Sequence, residues 1–92
     1  MVTIYDEKTG RIVDLKHAYA IYAVKNTIIV CFPFTDGGNI VCEHLTVDGE
    51  VDEKEMRGFL TTLANIKNKD EITALSWQKI CRNLVKRERQ ER

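Results

Sequence analysis

Cys31, Cys42 and His44 are the residues whose types and spacing could do chemistry. Thr35-Asp36-Gly37-Gly38 separates two segments rich in β-branched and aromatic residues, which predicts a hairpin. With the loop at Thr35–Gly38, or at the shorter Asp36-Gly37, Cys31 falls directly opposite Cys42. His44 then projects from the same face two residues along. Directly opposed Cβ atoms lie about 4.5–5.5 Å apart, close enough for two thiolates and an imidazole to converge on a metal ion. A structural zinc site wants four protein ligands, however, and the Cys-x₂-Cys and His-x₃-His spacings are absent. His17 or Cys81 could complete the set only through a tertiary contact. Free cysteine is among the most buried residue types, so the expected state is two reduced thiols in a sheet, with no metal and no cofactor.

The same residues fall short of a catalytic set. A cysteine nucleophile needs a lowered pKa, an oriented base and usually a third group. Two histidines in all and no recognisable third member argue against an enzyme, and no catalytic residue is assigned. Ser76-Trp77-Gln78-Lys79 matches the Ser-x-x-Lys string of serine acyl enzymes, but its companion segments are missing. Ser76 reads instead as a helix N-cap. Gly37-Gly38 belongs to no phosphate-binding pattern and reads as hairpin glycine. The acidic residues from Asp48 to Glu55 fit a turn followed by the first turn of a helix, where the helix dipole favours them.

Fourteen Lys and Arg against fourteen Asp and Glu give a formal charge of zero, so the whole surface is not a nucleic-acid binder. The charge is uneven along the chain. Residues 43–55 carry a net −5 and residues 79–92 a net +4. Arg82, Lys86, Arg87 and Arg89 could therefore grip phosphates or an acidic protein surface. No aromatic residue follows Trp77 to supply a stacking platform, which favours a protein-facing or solvated role for these cations. Tyr19 and Tyr22 face opposite sides of one strand, and exposed aromatics are where interface hot spots concentrate. These six residues are the candidate partner-binding set.

The elements that must position them follow from periodicity. Val2–Tyr5, Arg11–Leu15, Tyr19–Val24, Thr27–Phe34 and Asn39–Val47 read as strands, with Gly10 and Asn26 suited to positive φ in the intervening turns. Pro33 argues for an edge, a bulge or a strand terminus, because it cannot donate to a ladder. After Asp48 the period changes. Asp52 and Glu55 form a capping-box pattern before Met56, Phe59, Leu60 and Leu63. Trp77, Ile80, Cys81, Leu84 and Val85 make a second stripe. The expectation is one domain over residues 1–92 in the α+β class. It comprises an antiparallel β-meander of four to five strands (about 2–47), then helices at about 53–66 and 71–88 on one sheet face. The second helix starts at about Asp70 or, with Ile72–Leu75 as a separate turn, at Ser76. A basic tail, 86–92, is expected to fray.

Ordinary apolar and charged fractions, 43% and 30%, exclude a disordered or low-complexity chain. The longest apolar stretches, Ala18–Val24 and Ile28–Phe34, are seven residues each, against about 20 needed to cross a bilayer. The start has no basic region of a secretory leader, and three cysteines suit a reducing cytoplasm. By elimination, the sequence points to a small non-enzymatic binding or regulatory protein, a modulator or inhibitor, docking on a macromolecular partner. Protein is favoured over nucleic acid as that partner, no membrane is involved, and self-association is compatible with the composition. The alternatives are a nucleic-acid binder using the basic C-terminal helix and, last, a small Cys/His enzyme.

Overall fold

A computed structural model describes residues 2–69 and 72–90, the side chains of 88–90 aside. Strands β1 (Val2–Asp6) and β2 (Arg11–Asp14) pair antiparallel. Their loop closes with Gly10 at φ +74° and its amide donating to the Asp6 carbonyl at 2.8 Å. Strands β3 (Ala20–Val24), β4 (Thr27–Asp36) and β5 (Asn39–Thr46) follow as an antiparallel meander. Helix α1 (Glu53–Lys67), strand β6 (Thr73–Ser76) and helix α2 (Trp77–Gln90) complete the chain. The fold is α+β. Helix α1 packs on β3, while α2 packs on α1, β1 and β6.

The strands divide between two sheets, β2-β1-β6 and β3-β4-β5, instead of running as one meander. The break lies at the corner after β2. Asp14 accepts from the Lys16 amide and bonds His17 Nδ1 at 2.7 Å, while Ala18 N donates to the Leu15 carbonyl. Leu15 and Ala18 are thereby turned into the core, and the chain leaves the first sheet.

Residues 73–76, expected in the second helix or the turn before it, form a strand parallel to β1, with Ile4 opposite Leu75. The helix therefore starts at Trp77, where Ser76 stands as its cap and accepts from the Lys79 amide at 3.4 Å. At the other end α2 continues through Gln90, past Lys86 where fraying was expected.

Two turns differ from their expected form. In the β3–β4 turn Lys25, not Asn26, takes positive φ, at 55°. Asn26 instead exchanges bonds with Val47, its side chain donating to Val47 O at 3.0 Å and its carbonyl accepting from Val47 N at 2.8 Å. The β4–β5 turn is Gly37-Gly38, with both residues at positive φ and Asp36 opposite Asn39. That conformation suits a two-residue hairpin turn. An irregularity between Cys31 and Thr35 then shifts the register and restores Cys31 opposite Cys42. Pro33 sits within it, where an absent N–H removes no ladder bond.

Helix α1 opens with the expected capping box. Glu55 N donates to Asp52 Oδ1 at 2.8 Å, and Asp52 N donates to Glu55 Oε1 at 3.3 Å. Met56, Phe59, Leu63 and Ile66 then face one core shared with Ile4, Val13 and Leu15 of the first sheet and Ile28, Val30 and Leu45 of the second. Trp77 joins these layers. Its ring is buried 5.6 Å from that of Phe59, and its Nε1 donates to Thr46 O at 2.8 Å.

A part-buried polar clasp fixes the start of α2 against β1. Gln78 Nε2 donates to Asp6 Oδ1 at 2.7 Å, and the Glu7 amide donates to Gln78 Oε1 at 2.9 Å. Burial pushes the Asp6 carboxyl up. Hydrogen bonds from Gln78, Lys8 and Thr9 outweigh it and hold the group below the ordinary carboxylate range. A depressed folded pKa contributes stability that is present above the unfolded value of about 4 and lost as pH falls through the folded value. Acid titration of unfolding should therefore show Asp6→Asn less stable than wild type near neutrality, with the gap closing towards acid pH. A gap that is constant with pH would mean that the Asp6 charge contributes nothing.

Candidate functional site

Alternation along the second sheet sorts its side chains into two faces. Ile28, Val30 and Leu45 are fully buried beneath the helices. The residues between them point the other way. Ala20, Cys31 and Cys42 form one row across the three strands, and Tyr22, Ile29 and His44 form the next. Val24, Thr27 and Thr46 make a third. Much of this outer face is open to solvent. Tyr22 is 45% exposed, Val24 49%, and Ile40, further along β5, 57%. Ile29 and Cys42 are half-buried between them, and Cys31 is buried. A contiguous apolar strip thus runs diagonally from Val24 to Ile40.

The expected pairing of Cys31 with Cys42 is present, their Sγ atoms 2.9 Å apart. Hydrogen bonding to Cys31, then burial, pushes the Cys42 thiol up. Dehydration and then the two thiols push the Tyr22 hydroxyl up in turn. His44 shares the face but is exposed. Among the described residues no group of three or more His, Cys, Asp or Glu is placed to hold a metal ion, so Cys31, Cys42 and His44 do not converge as a ligand set. His17, the other candidate ligand, is occupied at the corner with Asp14.

The six candidate partner-binding residues do not gather on one surface. Tyr22 belongs to the outer face. Tyr19, 58% exposed, lies on the helix side, lining a shallow groove with Leu60, Ala64 and Lys67. Arg82 and Lys86, one helical turn apart on α2, border a second groove floored by Val47, Val51, Cys81 and Val85. Arg87 is exposed on the same helix, and the Arg89 side chain lies outside the described residues. Comparison with protein-family models, curated proteins and solved structures finds no match to this chain.

The α2 groove has mixed charge. Lys8 pairs with Asp48 across its mouth, and Glu50 lines it beside the two cations. Burial, with the Asp48 and Asp6 carboxylates, pushes Cys81 up to about 12, so this thiol is protonated at neutral pH. The outer face has the opposite character: it is apolar, nearly uncharged and open.

Sequence reading placed Tyr22 and both cysteines but missed Val24, Ile29 and Ile40 as members of the same surface. Their alternation was visible. Which of the two faces the helices would cover was not.

Proposed function

We propose that this chain is a small non-enzymatic binding or regulatory protein that docks on a protein partner through the outer face of β3-β4-β5. The observation that carries this reading is the exposed strip of Tyr22, Val24 and Ile40 on a sheet whose other face is already covered by helices. Contiguous exposed apolar surface marks interaction sites, and an exposed aromatic with aliphatic neighbours has the composition of an interface core. The strip holds no charged pair that would need desolvation. Three cysteines as free thiols suit action in the cytoplasm.

Affinity capture with the full chain, with and without nuclease, tests the assignment. Tyr22→Ala with Val24→Ser should weaken capture of the partner at least about tenfold, the loss expected from removing a hot-spot aromatic. Arg82→Glu with Lys86→Glu should leave capture intact. The reversed pattern, with capture abolished by nuclease, would assign function to the basic helix and a nucleic acid instead.

A further inference from the structure

Cys31 and Cys42 do more than fill the sheet. We propose that they form a reversible dithiol–disulfide modification site on the outer face of β3-β4-β5, oxidised by a low-molecular-weight disulfide such as oxidised glutathione. This inference is independent of the docking assignment, because it concerns the chemistry of two side chains and is read out on the thiols themselves.

The backbone meets the geometric requirement first. Directly opposed residues of an antiparallel pair have Cα atoms about 4.5–5.5 Å apart, within the range of about 4.4–6.8 Å that a disulfide accepts. The sulfurs, at 2.9 Å, need close by less than about 1 Å to reach bonding distance. Strand register holds them there. The two residues belong to neighbouring strands of one hairpin, so no element has to move for the bond to form.

Access decides the order of events. Cys31 is buried and Cys42 half-buried, so the incoming disulfide meets Cys42. Cys42 loses its thiol proton to water, and the thiolate attacks one sulfur of the small disulfide. The S–S bond of the reagent breaks and one small thiol leaves after taking up a proton. Cys31 then attacks Cys42 Sγ of the mixed disulfide. That bond breaks in turn and the second small thiol departs with the proton from Cys31. Two protein thiols are oxidised and one small disulfide is reduced to two thiols.

Proximity confers the selectivity. Both Cys42 and Cys81 thiols are raised above the ordinary range, so neither is distinguished by thiolate character. A mixed disulfide on Cys42 faces a second thiol on the directly opposed residue, its Sγ 2.9 Å from that of Cys42 in the reduced protein, and the second step is intramolecular. Cys81, across the core on α2, lines a groove that holds no other cysteine.

The test uses the full chain, incubated folded with excess oxidised glutathione at mildly alkaline pH, then quenched and alkylated. Two of the three thiols should disappear, with no glutathione retained. Cleavage before aspartate separates Cys31 in peptide 14–35 from Cys42 in peptide 36–47, and these two peptides should remain joined until dithiothreitol is added. Cys81→Ser should behave as wild type. Cys42→Ser should lose the reaction; if it does not fold, the wild-type peptide map decides alone. A stable glutathione adduct on Cys42, a linkage that includes Cys81, or three intact thiols under conditions that oxidise free dithiothreitol would each overturn the proposal.

Discussion

Trp77→Ala is expected to be the most damaging single substitution in the molecule, costing about 3–5 kcal/mol of unfolding free energy. The indole is fully buried, touches Phe59 of α1, and bonds the Thr46 carbonyl at the end of β5. Its removal opens a cavity where both sheets and both helices meet. A small domain has only about 5–15 kcal/mol in total, so the variant should unfold at markedly lower urea concentration. Trp77→Phe separates two contributions. It keeps much of the volume but leaves the Thr46 carbonyl without its indole donor, which should cost about 1–3 kcal/mol. Far-ultraviolet circular dichroism is the appropriate probe, because Trp77 is the single tryptophan. If Trp77→Ala lay within about 1 kcal/mol of wild type, the junction would not depend on this side chain.

Leu63→Ala and Leu84→Ala should each cost about 2–5 kcal/mol, the range for truncating a core leucine. One residue lies on each helix, and both are buried in the same core as Ile28 and Leu45. Lys54→Ala, on the solvent side of α1, should stay within roughly 0.5 kcal/mol. The comparison tests whether α1 and α2 cover the sheets jointly. A large effect at Leu63 with none at Leu84 would mean that α2 is held by the Gln78–Asp6 clasp and Trp77 alone. Equal, small effects at all three positions would contradict the placement of both faces.

The amino-acid sequence by itself determined the features whose causes lie within a few residues. Gly10 marked a hairpin loop because its backbone turns through positive φ at little cost, and Asp52 with Glu55 marked a helix start by reciprocal capping. The spacing of Met56, Phe59 and Leu63 carried the buried stripe of α1, since period alone selects a helix face. Cys31 opposite Cys42 was legible too, although through a turn one residue before the observed Gly37-Gly38. The two-residue shift in register that this implies is offset by the irregularity around Pro33.

Tertiary structure decided the rest. Thr73–Ser76 is too short to be stable as a strand alone, and its partner β1 lies some seventy residues earlier, so no local pattern announces the parallel pairing. The clasp between Asp6 and Gln78 spans 72 positions for the same reason. The choice of free face followed likewise. Tyr22 and Ile21 are adjacent in sequence, and each is a large side chain able to contribute to a core. Only the docking of α1 on β3 buries one side and leaves Tyr22, Val24 and Ile40 in solvent. Alternation specifies that a strand has two faces; the long-range packing of helices, governed by total apolar burial, determines which one water sees.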